Sequence, residues 1–181
     1  RWFWLAAALL TLQIVLGGWV STNYAVLACS DFPTCQNRWW PEMDFSQGFE
    51  LWRHLGVTAA GDPISFAALT AIHYTHRLMA YFLLVLLGAL AWQLNRHVVW
   101  RSHSRVLAAL VGLQFASGLS NVVLGWPLLA ALLHTAGAAG MVLTLTWVLV
   151  SAKPALSHPV LLRQSVTGAA SAQGAHPERL A

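Results

Sequence analysis

A chain of 181 residues with 57% hydrophobic and 9% charged side chains is too apolar for an ordinary soluble domain, in which charged residues make up about a quarter. Its mean hydropathy of +0.59 specifies a membrane protein in contact with lipid. The net charge of +4 does not point to nucleic acid, because the basic residues sit in short connections and at the ends of apolar runs, where they set topology.

The chain begins Arg1-Trp2-Phe3-Trp4, with no initiating methionine and no small-residue cleavage site of a signal peptide, so it reads as the second part of a longer protein. From about 2 to 20 the side chains are apolar apart from Gln13 and the pair Gly17-Gly18, and about 20 such residues cross a hydrocarbon core as a helix. The glycines would admit a neighbouring helix or a flat ligand.

An external loop over 21–68 follows and carries both cysteines, Cys29 and Cys35, around the turn-rich Ser30-Asp31-Phe32-Pro33-Thr34. Outside the cytoplasm such a pair is expected to oxidise. A structural staple and a thiol-disulfide redox centre both remain open, although the spacing is not Cys-x-x-Cys. Phe45, Phe49 and Trp52 recur at helical spacing, which predicts a short interfacial helix over 46–55. Trp39, Trp40 and Trp52 suit an aromatic belt.

The second span is predicted over 69–94, the third over 106–124 and the fourth over 128–151. Arg96, Arg101 and Arg105 lie between the second and third with no acid among them, whereas the cysteine loop carries Asp31, Glu42, Asp44, Glu50 and Asp62. The basic connection therefore faces the cytoplasm and the loop faces outward. Residues 153–181 read as a loose cytoplasmic tail in which His158 and His176 are solvated. Segments one and three share a pattern, Leu12-Gln13-Ile14-Val15-Leu16-Gly17 against Leu113-Gln114-Phe115-Ala116-Ser117-Gly118, and segments two and four each place a histidine four residues before an alanine, His76 with Ala80 and His134 with Ala138. The fold expected is all-α: a polytopic membrane four-helix bundle over 1–152, built from two parallel helix-hairpin repeats.

Ionisable residues within a span are costly and mark function. His76 and His134 lie about seven and six residues into their segments, a common depth of roughly 10 Å at 1.5 Å per residue. A single such histidine more often bonds a serine or glutamine of the next helix, with Gln114 and Ser117 at hand. A pair at matched depth suits the two axial positions of a haem iron. Arg77 could then bond a haem propionate. His73, one turn before His76, reads as a proton carrier, a haem-edge contact or an interfacial residue.

The runs Gly17-Gly18-Trp19-Val20-Ser21-Thr22-Asn23-Tyr24-Ala25, Leu27-Ala28-Cys29-Ser30-Asp31-Phe32-Pro33-Thr34-Cys35, Ile72-His73-Tyr74-Thr75-His76-Arg77 and Gly118-Leu119-Ser120-Asn121-Val122-Val123-Leu124-Gly125 closely resemble the C-terminal half of proteobacterial heme A synthase, over about 10–150. The resemblance implies an eight-helix protein of two similar halves in the bacterial inner membrane, with the cysteine loop periplasmic. It also implies oxidation of the C8 methyl of heme O to the formyl of heme A for terminal oxidases, with an electron partner and heme O synthase as associates. In that family the C-terminal half holds a haem b between histidines matching His76 and His134, and external cysteines match Cys29 and Cys35. A glutamate three residues before the His-Arg pair belongs to the catalytic half, and His73 stands there in this chain. That departure supports the C-terminal assignment and leaves this chain with no assigned catalytic residue. The alternatives from other classes are an electron-carrying membrane b-type cytochrome and a quinone-linked thiol-disulfide oxidoreductase.

Overall fold

The computed structural model describes residues 1–155, with side chains through Ser151. Of the tail expected over 153–181, residues 153–155 continue the last helix and the rest lies outside the described residues. Residues Arg1–Leu145 form one compact unit, and Thr146 onward a second. The described regular structure is helical: α1 (Trp2–Thr22), a short α2 (Phe45–Gly48), α3 (Phe66–Asn95), α4 (Arg101–Val123) and α5 (Leu128–Ala155), with 3-10 turns at Ala25–Leu27 and Val98–Trp100. The four long helices are each long and apolar enough to cross a membrane, and the chain is a multi-pass helical membrane protein.

The helix ends have identifiable chemical causes. Ser65 caps α3, its hydroxyl accepting from the Ala68 amide at 3.2 Å, so the helix starts three residues before the apolar run alone suggests. At 30 residues, α3 is about 45 Å long, well over the ~30 Å hydrocarbon thickness. The surplus is clothed by the loop. Helix α4 begins at Arg101, inside the basic connection, because the Ser104 hydroxyl donates to the Ala91 carbonyl at 2.7 Å and pins the first turn of α4 to the last turns of α3. Its other end closes where Gly125 takes φ 66° and the Trp126 amide reaches back to the Asn121 carbonyl at 2.9 Å, a glycine C-cap that Pro127 follows.

The interfacial helix expected over 46–55 is a single turn, Phe45–Gly48, capped by the Asp44 side chain. Continuing it would require the Gly48 carbonyl to accept the Trp52 amide. That carbonyl instead takes the Trp19 indole N–H of α1 at 2.9 Å. Phe45 and Phe49 still stack, with ring centroids 6.3 Å apart, but Trp52 is 93% exposed.

Helix α3 is the central element. It packs against α1, α2 and α4, and Leu83, Leu87, Leu90, Ala91 and Leu94 are buried along it. Its outer turns hold the loop by a ladder of polar bonds: Thr70 with Gln36 at 2.8 Å, His73 with the Ala25 carbonyl at 3.0 Å, Tyr74 with the Trp39 carbonyl, and Arg77 with three further carbonyls. Apart from the Thr70–Gln36 pair, which joins side chains, these bonds give loop carbonyls the partners they need at a buried surface.

Candidate cofactor site

Helices α1 and α4 each carry a glutamine and, one turn later, a glycine, and these two residues address one histidine. The Gln13 amide donates to the His76 carbonyl at 3.1 Å, and Gln114 donates to the His134 carbonyl at 2.7 Å. A methyl on Gly17 would lie 3.0 Å from His76 Cε1, and one on Gly118 would lie 3.1 Å from His134 Cε1. Each ring is thus held against bare backbone, with its main chain fixed by an amide. Spacing predicted equal depths from the segment starts, yet α3 starts earlier, at Phe66, and His76 lies four residues further into its helix than His134 does into α5. The rings nevertheless line one cavity of about 390 Å³.

The cavity wall is mostly apolar, with Leu10, Leu84, Phe115 and Met141 among its residues, and Ala80, Ala138, Gly17 and Gly118 keep parts of it low. Its volume falls in the range of about 300–1,000 Å³ of small-molecule and cofactor sites. The remaining polar groups on the wall include His73, Arg77, Tyr81 and Asn121. The Tyr81 hydroxyl, Asn121 Oδ1 and His76 Nδ1 are buried with no hydrogen-bond partner among the described residues. Tyr81 follows Arg77 by one helical turn, a spacing that could have singled it out. Asn121 carried no such spacing signal and stood out only as a polar residue within the third predicted span.

His134 meets the expectation of a serine partner. Its Nδ1 lies 3.0 Å from the Ser117 hydroxyl, while Gln114 bonds its backbone and not its ring. Arg77 lines the cavity, but its guanidinium turns to the loop: Nη1 donates to Thr34 O at 2.7 Å and Asp31 O at 3.1 Å, and Nη2 donates to Cys29 O at 3.2 Å. His73 is 5% exposed and directs Nδ1 at a loop carbonyl, so it too ties the loop to α3.

Cys29 and Cys35 are joined by a disulfide, and both are fully buried. A thiolate reaches such a sulfur only after the loop opens. At the tip of the loop Phe32 sits edge-on to Tyr81 and Phe115, each at 6.4 Å between centroids, which seats the loop on α3 and α4 beside the cavity. Outside the membrane-spanning segments, burial pushes the Asp31 carboxyl up, but hydrogen bonds from Thr34, Asn37 and Gln36 outweigh it and hold the group below 3.8.

The residues fit a haem. No cluster of three or more His, Cys, Asp or Glu able to hold a bare metal ion occurs among the described residues. Two imidazoles on one apolar cavity instead suit an iron whose other ligands come from a macrocycle.

The profile of the COX15-CtaA family, described as cytochrome oxidase assembly protein, matches residues 1–146. Similar curated proteins are the heme A synthases of Shewanella oneidensis, 36% identical over 74% of this chain and 40% of that protein, of Halalkalibacterium halodurans, 30% identical over 67% and 34%, and of Neorickettsia sennetsu, 28% identical over 70% and 35%. The chain therefore matches about 40% or less of the length of these relatives. No solved structure gives a significant match. With a family profile aligned along α1, α3, α4 and most of α5, the chain belongs to the COX15-CtaA family of cytochrome oxidase assembly proteins.

Proposed function

We propose that this chain is the haem-b-binding, C-terminal half of a heme A synthase, the membrane oxidoreductase that converts the C8 methyl of heme O to a formyl group for terminal oxidases. The observation that carries the proposal is the paired setting of His76 and His134, each held by a glutamine and pressed on a glycine, at one apolar cavity. In this reading His76 and His134 would hold the haem iron, and the bound haem b would supply a one-electron iron couple. The Gln13 and Gln114 amides fix the ligand-bearing turns, Gly17 and Gly118 let the Cε1 edge of each ring approach its neighbouring helix, and the seated loop shields the cavity from water. The Tyr81 hydroxyl and the Asn121 side-chain N–H groups would donate to haem propionates, whereas the Arg77 guanidinium is taken up by loop carbonyls. The two Gln-Gly-His settings support a repeat of helix hairpins, and the Cys29–Cys35 loop lies on the periplasmic side of the inner membrane.

No Asp or Glu occurs among the described lining residues, and His73 stands where the catalytic half is expected to hold a carboxylate. This half therefore holds and passes electrons, while the N-terminal half of the same protein receives heme O, delivered by heme O synthase. The same observation favours, as a second reading, a b-type cytochrome with no substrate of its own.

The test uses the whole gene product purified in detergent. A Soret band with a b-type pyridine haemochrome is expected, and it should be lost or greatly weakened in His76→Ala and His134→Ala. Unchanged spectra in both variants would refute the ligand assignment. Conversion of added heme O separates the synthase from the cytochrome.

A further inference from the structure

Among the differences between the two histidine settings, one lies directly before the glycine. On α4 the residue before Gly118 is Ser117, and on α1 the residue before Gly17 is Leu16. Ser117 has one hydroxyl proton, and its best acceptor is the Leu113 carbonyl at 2.6 Å; the Gln114 carbonyl lies further off at 3.4 Å. With that proton committed, Oγ meets His134 Nδ1, 3.0 Å away, as an acceptor. Nδ1 must then carry the ring proton, and the lone pair stands on Nε2. His76 has no counterpart to this bond. Its Nδ1 is buried without a partner, and its Nε2 has only a long contact of 3.4 Å to the Gln13 amide nitrogen.

We propose that Ser117 is a positioning residue that makes the two histidines unequal haem ligands, presetting His134 as the firmly held, more electron-rich ligand and leaving His76 as the weaker one. The inference rests on the haem reading above. A hydrogen bond accepted from the distal ring N–H of a ligating histidine fixes the tautomer and orientation and raises ligand basicity. A more basic ligand stabilises the ferric state and lowers the reduction potential. The leucine on α1 withholds that effect from His76, so displacement by an exogenous ligand occurs at His76.

The test is redox titration of the haem Soret band in the whole protein, together with haem retention. Ser117→Ala should raise the reduction potential and speed haem loss by about tenfold, the lower end of the range for removed outer-shell partners. Ser117→Thr, which keeps the hydroxyl, should restore both. Leu16→Ser offers His76 the missing acceptor and should lower the potential. His134→Ala should lose haem more completely than His76→Ala, in which the weakened Soret band that remains should belong to a five-coordinate, high-spin haem that binds carbon monoxide. A wild-type protein with no Soret band overturns the haem reading and this inference with it. A normal wild-type haem whose potential is unmoved by Ser117→Ala overturns this inference alone, as does equal haem loss in the two histidine variants.

Discussion

Gly17 and His76 are in contact with no space for a side chain between them: a β-carbon on the glycine would stand 3.0 Å from Cε1 of the ring. Gly118 and His134 repeat the relationship at 3.1 Å. Both glycines lie within helices, so the requirement is one of close approach. An alanine at either position leaves its helix intact and drives the ring a few tenths of an ångström toward the cavity. Gly17→Ala and Gly118→Ala are expected to perturb the Soret and α bands and to lower the melting temperature by the equivalent of about 1–3 kcal/mol, the usual cost of overpacking. Gly88→Ala adds a methyl where nothing lies within 4 Å and should leave the spectra unchanged and the melting temperature no lower. Spectra and thermal melts identical across all three variants would show that the ring positions do not depend on these contacts.

Gly137 matters through a different neighbour. A methyl there would collide with the side-chain nitrogen of Gln114 and come within 3.2 Å of Leu113, and Gln114 is the residue that anchors the His134 carbonyl. Gly137→Ala is therefore expected to break that bond and separate α4 from α5 locally, again costing about 1–3 kcal/mol. Gly140→Ala meets only the flexible end of Leu110, at 3.1 Å, and should be milder. The order of the two, read by melting in detergent, checks the claim; a larger effect at Gly140 would contradict it.

Much of this was legible in the chain, for reasons that differ by feature. The four spans follow from hydropathy, because lipid tolerates so few alternatives. Gln13-Gly17 against Gln114-Gly118 was visible as a pattern, though not that both glutamines would bond backbone carbonyls. The ends of elements were less legible. Ser65 extends α3, and Ser104 lets α4 begin among basic residues, while the turn at Phe45–Gly48 stops early because Trp19, far away in sequence, occupies the carbonyl that the next turn needs. The partners of Arg77 were the hardest to foresee. They are backbone oxygens, which every residue has and no sequence advertises.

Those partners make Arg77 a test of what orders the loop. Its guanidinium donates to the carbonyls of Cys29, Asp31 and Thr34, and hydrogen bonds to a charged group each contribute about 1.5–3 kcal/mol. Arg77→Gln should lower the free energy of loop opening by at least about 2 kcal/mol, a factor of roughly thirty or more, and speed reduction of the buried Cys29–Cys35 bond accordingly. Arg77→Lys should fall between, since a single ammonium cannot reproduce the planar fork. Thiol alkylation after timed exposure to a reductant gives the rate. If Arg77→Gln lost haem while its disulfide reduced at the wild-type rate, Arg77 would serve a propionate and not the loop.

Asp31 gives the same loop a dependence on pH. Its Oδ2 accepts from the Thr34 hydroxyl at 2.5 Å and the Asn37 amide at 3.0 Å, and Oδ1 accepts from the Gln36 amide at 2.7 Å. Burial works against the charge, yet these bonds outweigh it and depress the folded pKa below the ordinary 3.8. A carboxyl depressed on folding contributes its full stabilisation above the unfolded value, and loses it as pH falls through the folded one. The loop should therefore be equally protected from neutral pH down to about 5, and open progressively below the ordinary carboxyl pKa of about 3.9. Asp31→Asn removes the charge at every pH and should reduce faster than wild type at neutral pH. The ratio of the two rates, measured with a phosphine reductant, cancels both the reagent's own pH response and the contribution of Asp44, whose carboxyl is likewise depressed by the Gln47 amide and the Ser46 hydroxyl. That ratio should fall toward one as pH drops through the depressed folded pKa. A ratio constant across the whole range would mean that the Asp31 charge does not hold the loop.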